Sequence, residues 1–522
     1  MFPERFNMAD YFLYHNLEEG RADKPCLYFE DQTYTYNDTA RMANRTGRLL
    51  QELGARIEER ILIALPDCPE FVWTWFGASR AGMVITMVNP LLPAADYVYY
   101  LDYTRARVAV IHESLVETFA PIAREARYLQ HVLVTGKNFT AHDDKRFQSF
   151  ERATASMPDA LAPADTHRDD MAIWLFTSGS TGHPKAAVHL HHDLPFNTEV
   201  YAKRTLGLRD TDVTLAVPKL FFGYATGTNL LFPFAVGGAT ALFSERSTVE
   251  KLFEMIERHR PTVLTNVPTM IGAMLNAEDA GKRDLSSLRF SLSAGEALPV
   301  ELYERWMRTF GVEILDGIGS AEMFHIYITN RLGEVRPGSL GRVVEGYEAR
   351  VVDAEGRDVA DGEMGTLRVR GDSAALCYWK RHDASKAAFS ADWCMTGDQF
   401  HRDAEGYFYY HGRTDDMLKV SGIYVAPAEI ENCLLAHEAV LECAVVGHRG
   451  SDNLIKPKAF IVLRETHAPS EELAQTIKDF AKRELALYKY PRLVEFVRSL
   501  PKNDRGKIDR KQLKNRETGV RS

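Results

Sequence analysis

A chain of 522 residues exceeds what one hydrophobic core usually organises, so at least two domains are expected. Its 45% hydrophobic and 26% charged residues are those of a folded globular protein, which excludes a disordered one. The net charge of -9 argues against bulk binding to nucleic acid or an anionic membrane, so any affinity for phosphate must be local.

In chain order, short β-rich apolar runs at residues 61–65, 108–111 and 263–265 read as buried strands, and amphipathic stretches such as 249–258 alternate with them. That alternation predicts α/β layers of sheet and helix. Residues 220–243 carry no charge and are long enough to span a bilayer, but Gly223, Gly227, Asn229, Pro233, Gly237 and Gly238 interrupt them. A buried strand-turn-helix passage is predicted instead. Between 349 and 410 the texture changes to short strands separated by Asp353-Ala354-Glu355-Gly356, Asp361-Gly362 and Asp403-Ala404-Glu405-Gly406, which predicts a hairpin-rich β subdomain. The repeated Asp-Ala-Glu-Gly is reused turn chemistry, since nothing longer around it recurs.

After Asp416 a helix near 428–436, strands near 442–446 and 459–463, and a helix near 471–487 predict a small α+β domain. The division is therefore a large N-terminal domain over 1–414 and a mobile C-terminal domain over 415–522, joined by a hinge, because the junction lacks the Gly/Ser composition of a flexible linker. Six cysteines (Cys26, Cys68, Cys377, Cys394, Cys433 and Cys443) lack Cys-x-x-Cys spacing, and the first six residues lack the apolar core of a secretion signal. Reduced thiols in a cytoplasmic protein are expected. Composition leaves monomer and homodimer equally open.

The most informative stretch is Thr177-Ser178-Gly179-Ser180-Thr181-Gly182-His183-Pro184-Lys185. Glycine lets a backbone approach an anion, hydroxyls donate to it, and successive amides form a concavity suited to phosphate oxygens. It is not a Walker A loop, in which Gly-Lys-Ser/Thr would be contiguous. Taken alone, the run also describes a plain surface loop. Further segments of interest follow: Ser293-Ala294-Gly295-Glu296-Ala297-Leu298-Pro299, Gly319-Ser320-Ala321-Glu322, Trp393-Cys394-Met395-Thr396-Gly397-Asp398, Gly412-Arg413-Thr414-Asp415-Asp416-Met417-Leu418-Lys419 and Pro501-Lys502-Asn503-Asp504-Arg505-Gly506-Lys507-Ile508.

In this order, these six motifs resemble those of the adenylate-forming superfamily, the acyl-CoA synthetases, nonribosomal adenylation domains and luciferases, over nearly the whole chain. The resemblance implies ATP, Mg2+ and CoA as reactants and cofactor. It implies that Thr177, Ser178, Gly179, Ser180, Thr181 and Lys185 hold phosphate, that Gly295, Glu296 and Ala297 form the adenine segment, and that Asp316, Gly317 and Ser320 also line the nucleotide site. Glu322 is the implied metal ligand, a hard carboxylate for a hard cation; its local sequence equally suits a solvated glutamate at a helix start. Asp398 can accept from both ribose hydroxyls and Arg413 can hold the same sugar, although a turn aspartate and a surface arginine would read the same way.

Lys507 sits in a basic tail with Lys502, Arg505, Arg510, Lys511 and Lys514 that charge alone describes as a solvated face. The resemblance singles it out as the lysine reaching the carboxylate and α-phosphate during adenylation. By the same resemblance Lys419 faces the site after domain rotation, Asp415 is the hinge, and Ser421 and Gly422 contact CoA. The sequence departs from the pattern at Ala321, usually threonine; one lost neutral hydrogen bond costs about 0.5–1.5 kcal/mol unless Ser320 or water replaces it. Ala186 replaces a common glycine, which hints at less backbone freedom.

Residues 218–224 and 316–326 resemble the benzoate-CoA ligase branch, where these segments wall an aromatic acid. Tyr224 and Ile318 offer apolar faces to a planar ring, Gly317 leaves a narrow slot, and His325 donates to a ring substituent, orients the carboxylate, or is structural. Phe221 is expected in the core and Tyr224 in the pocket. The implied activity is ATP-dependent formation of an aryl-AMP and then an aryl-CoA, with benzoate and 2-aminobenzoate leading and hydroxybenzoates next. A stand-alone adenylation enzyme loading a carrier protein in trans and a non-catalytic ligand sensor are the competing readings.

Overall fold

The computed structural model describes residues 2–177, 183–414, 416–420, 423–449, 455–486, 489–502 and 508–518. In the first large sheet, Met171–Thr177, Val84–Met87, Arg60–Ala64, Val108–His112, His131–Thr135 and Phe147–Ser149 run parallel in that order. Arg60–Ala64, Val84–Met87 and Val108–His112 are buried on both faces, as parallel strands covered by helices must be. One covering helix, Tyr36–Glu52, starts in a capping box between Thr35 and Asp38. It crosses the helix Pro69–Arg80 so closely that a Cβ on Gly47 would lie 2.7 Å from the Gly77 carbonyl oxygen.

The second sheet runs Ile314–Gly319, Phe290–Ser293, Val263–Asn266, Val213–Ala216, Ala239–Leu242 and Pro25–Phe29 in parallel. Ile326–Thr329 and Arg342–Val343 extend one side antiparallel and Gln32–Thr35 the other. The expected amphipathic helix spans Val249–His259: Thr248 caps its start, Arg260 ends it in the left-handed region at φ 47°, and Leu252, Phe253, Met255 and Ile256 face the core.

Residues 220–243 are largely buried, as expected, but their elements come in the opposite order. Consecutive helical turns over Gly223–Thr226, Gly227–Leu231 and Phe232–Val236 precede a left-handed Gly237 and the strand Ala239–Leu242. Glycines that look like breakers are tolerated here because neighbours occupy their missing side chains: a Cβ on Gly227 would lie 2.5 Å from the His325 ring. Among the described residues, no helix is long and apolar enough to cross a membrane.

The β-rich segment forms a five-stranded antiparallel sheet. Its two Asp-Ala-Glu-Gly turns are the same device. Asp353 Oδ1 accepts the N–H groups of Glu355 and Arg357, Asp403 Oδ1 those of Glu405 and Tyr407, and Gly356 and Gly406 have φ of 81° and 84°. Two elements depart from the hairpin reading: the helix His382–Ala388, and Cys377–Tyr378, which leaves this sheet to pair with Lys185–Leu190 on the edge of the first.

In the C-terminal part, Val440–Arg449 pairs antiparallel with Ile455–Leu463, and helices Pro427–Leu435 and Glu471–Glu484 pack there as expected. The strand Leu493–Phe496, parallel to Ile455–Leu463, and the helix Arg510–Thr518 were not signalled by periodicity.

Candidate functional site

Thr177 ends one strand and pairs with Lys185, the first residue of the next. Ser178, Gly179, Ser180 and Thr181 lie outside the described residues. The described flank of this hairpin is held from the helix Ala94–Thr104: Tyr99 donates to the Pro184 carbonyl at 2.6 Å, and its ring stacks on His183 at 4.7 Å and 17°. Ala186 is buried mid-strand with no left-handed backbone, so its lack of glycine's freedom has no effect here.

Lys185 points at Glu322. Its ammonium lies 3.9 Å from Glu322 Oε1 and 3.6 Å from the centroid of the Tyr378 ring, and Tyr378 donates its hydroxyl to the same oxygen at 2.6 Å. Burial holds the Lys185 pKa below its ordinary value, with Glu322 opposing that effect. Burial and the Glu322 charge together raise the Tyr378 and Cys394 pKa values. Glu322 therefore presents one carboxylate oxygen already oriented by two partners.

Asp398 and Arg413 face each other across adjacent strands, with Arg413 Nη1 3.4 Å from Asp398 Oδ1 and 2.7 Å from the Thr396 carbonyl. Asp398 is 8% exposed, and burial raises its pKa to about 6 against the pull of Arg413. Gly295, at φ 90°, Glu296 and Ala297 lie in the loop after Phe290–Ser293. Glu296 turns its carboxylate to Thr269, accepting from the hydroxyl at 2.8 Å.

Asp316, paired with Ser293 in the neighbouring strand, is buried with Oδ1 lacking a hydrogen-bond partner among the described residues, and desolvation raises its pKa to about 8 against the weaker pull of Ser293 and the Gly317 and Leu298 amides. Gly317 and Gly319 leave no room for a side chain: a Cβ would lie 2.7 Å from the Ile328 carbonyl oxygen and 2.5 Å from that of His325. Ser320 Oγ is buried without a hydrogen-bond partner among the described residues.

The turn that follows is the centre of the arrangement. The His325 amide donates to the Met323 carbonyl at 2.8 Å around Phe324, whose φ and ψ are 66° and -56°. This is a γ-turn with positive φ, a rare and strained conformation, formed by a buried phenylalanine. It directs Glu322 to Lys185 and Tyr378, and His325 to Tyr224.

His325 is 2% exposed among the rings of Phe232, Tyr224 and Tyr201, whose centroids lie 4.8, 5.3 and 5.5 Å away. Burial lowers its pKa to about 4, so the ring is neutral at pH 7. Nε2 is 3.0 Å from the Tyr224 carbonyl, which only accepts, so Nε2 carries the proton and Nδ1 the lone pair. That Nδ1 and the Tyr224 hydroxyl are both buried without a partner among the described residues. Ile318, paired with Ile328 in the adjacent strand, is partly buried, and Phe221, expected in the core, is only partly buried. Asp415, Ser421, Gly422 and Lys507 lie outside the described residues, as does the side chain of Lys419.

Sequence reasoning missed Tyr378, Tyr99, Tyr201 and Phe324. Tyr99 had a legible signal, since Tyr99 and Tyr103 are four apart on one helical face and stack at 5.2 Å. Tyr378 had none, because a two-residue strand leaves no periodicity.

The sequence matches the AMP-binding enzyme family over residues 14–379 and the AMP-binding enzyme C-terminal domain over 429–507. The chain belongs to the AMP-binding enzyme family. It is 43% identical over 514 residues to the benzoate-CoA ligase of Thauera aromatica, covering 98% of this chain and 96% of that one. Among solved structures, an anthranilate CoA ligase in complex with anthranoyl-AMP superposes with a TM-score of 0.95 at 40% identity, covering 99% of this chain and 98% of the other. A benzoate CoA ligase from Burkholderia xenovorans LB400 gives 0.90 at 40% identity, covering 97% and 99%.

Proposed function

We propose that the protein is an ATP-dependent aryl-CoA ligase acting on benzoate or a small substituted benzoate such as 2-aminobenzoate. The observation that carries this reading is the turn over residues 322–325, from which one face presents the oriented carboxylate of Glu322 and the other the aromatic slot of Tyr224 and His325. The likeness to benzoate- and anthranilate-CoA ligases over almost the full length supports it.

In the first half-reaction the aryl carboxylate attacks the α-phosphate of ATP, giving an aryl-AMP and pyrophosphate. In the second the CoA thiol displaces AMP. The chain's contribution is to position and to neutralise charge. Lys185 and the hairpin after Thr177 hold phosphate oxygens, Asp398 and Arg413 hold the ribose, and the segments at Gly295, Glu296, Ala297, Asp316 and Gly317 enclose the adenine. The described residues contain no cluster of three or more His, Cys, Asp or Glu fit for a metal. A magnesium ion would therefore be held by Glu322 together with phosphate oxygens, which suits a cation that keeps substrate phosphates among its ligands; it would neutralise charge on the leaving pyrophosphate. Lys507 approaches the carboxylate in the first step, and rotation at Asp415 brings Lys419, Ser421 and Gly422 to the site for the second. Six free cysteines accord with a reducing compartment, and we place the enzyme in the cytoplasm.

A panel of benzoates and fatty acids assayed for CoA-dependent AMP release tests the whole reading. Aryl-CoA formation is expected with benzoate and 2-aminobenzoate. Octanoate exceeding every aromatic acid would refute the aryl assignment. Pyrophosphate exchange without thioester formation would favour carrier loading, and no exchange would favour a sensor.

A further inference from the structure

We propose that His189, held by Asp193, is a positioning residue that fixes the turn carrying Glu322; this rests on the role given to Glu322 above. His189 and Asp193 are completely buried. The imidazole Nδ1 lies 2.8 Å from Asp193 Oδ2, and Nε2 lies 2.7 Å from the carbonyl oxygen of Ala321, 132 residues away in sequence. A carbonyl only accepts, so Nε2 donates to Ala321 while Nδ1 faces the Asp193 carboxyl. Asp193 Oδ2 also accepts the Leu190 amide at 3.1 Å, so the carboxyl is itself held from the backbone.

Placement argues for function. His189 and Lys185 share a strand and a face of it, because side chains alternate. The same face thus sends an ammonium to the Glu322 carboxylate and an imidazole to the carbonyl of the preceding residue. The three carbonyls before Phe324 are then engaged: Ala321 by His189, Glu322 by the Ala375 amide at 2.8 Å, and Met323 by the Ser373 hydroxyl at 2.8 Å and by the His325 amide. A γ-turn with a phenylalanine at positive φ relaxes by rotating its flanking peptides unless they are held. His189 holds the peptide immediately before Glu322. A buried histidine–carboxyl contact is poor evidence of added stability, whereas a fixed carboxylate is what phosphoryl-transfer chemistry requires.

His189→Gln is the test, with acid-dependent ATP-pyrophosphate exchange read beside thioester formation from supplied aryl-AMP and ATP binding measured by calorimetry in EDTA. Adenylation should fall roughly 10- to 100-fold, the scale of a misplacement of about 1 Å. The thioester half-reaction and metal-free ATP affinity should stay within about threefold. Equal losses in all three readouts would mean a merely structural histidine and would overturn the proposal, as would unchanged adenylation. If His189→Gln does not fold, Asp193→Asn, which keeps the shape, carries the same test with an expected loss of about tenfold. Glu322→Gln separates the two readings. Loss of adenylation with Glu322→Gln but not with the His189 or Asp193 variants overturns the present proposal alone, and normal adenylation by Glu322→Gln overturns the assignment of Glu322 itself.

Discussion

Asp316→Asn should make stability less dependent on pH, and the size of the effect follows from burial. The carboxyl has a pKa of about 8 when folded, against about 3.9 when unfolded, so between these values the folded state holds one more proton. Stability changes with pH in proportion to protons bound unfolded minus folded, which is negative here, so raising the pH through this window destabilises the native protein by about 1.4 kcal/mol per unit. The favourable state is complete below about pH 4 and lost as pH rises through about 8. From pH 5 to 7 the wild type should lose about 2.7 kcal/mol through this one group, and the amide, which does not titrate, should lose none of it. For a cooperative unit of about 400 residues that is about 3 °C in Tm. Thermal unfolding of both proteins at pH 5 and pH 7 reads it as a difference of differences, which cancels every other titrating group. A gap between the Asp316→Asn variant and wild type that is the same at both pH values, or that favours the wild type more at pH 7, would refute a protonated, desolvated Asp316.

At Phe324, Ala and Gly variants both lose the ring, at about 3–5 kcal/mol. Glycine should nevertheless be the more stable by about 1–2 kcal/mol because only it accepts this backbone without strain; calorimetry showing alanine equal or better would remove the γ-turn. Tyr378→Phe keeps the ring under Lys185 but deletes the hydrogen bond to Glu322, so adenylation should fall about tenfold or more while CoA transfer from supplied aryl-AMP is kept, in line with about 1.5–3 kcal/mol for a bond to a charged group. Asp415→Pro should leave aryl-AMP formation largely intact and block thioester formation, since a fixed φ stops hinge rotation; normal aryl-CoA synthesis would contradict the hinge. Tyr224→Ala or His325→Ala should shift the ratio of benzoate to 2-aminobenzoate activity more than the KM for ATP, and the reverse pattern would move both residues out of the acid pocket.

Much of the fold was written in local pattern. The strands at 61–65 and 108–111, the helix at 249–258 and the Asp-Ala-Glu-Gly turns all follow from periodicity, capping and side chain to backbone hydrogen bonds, which are properties of neighbouring residues. The order of elements in 220–243 was misread because its glycines serve close packing against partners such as His325, distant in sequence, and not chain breaking. The site divides in the same way. Residues inside contiguous motifs, such as Lys185, Glu322, Asp398 and Arg413, were legible, and the structure brings Lys185 to Glu322 and Asp398 to Arg413. Tyr378 and His189 act through long-range contacts, and the strain at Phe324 is imposed by the surrounding packing, so no local signal announces any of them.

The two-residue strand Cys377–Tyr378 seals the outer edge of the first sheet, yet it is supplied by chain that comes after the whole second sheet. Lys185 enters from the first sheet, Glu322 from a turn between two strands of the second, and the hydroxyl that ties them from this late return. A nascent chain that has not yet made residue 378 has an unsealed sheet edge and an unoriented acid. The strand that covers the sheet edge is thus the same one that orients the acid.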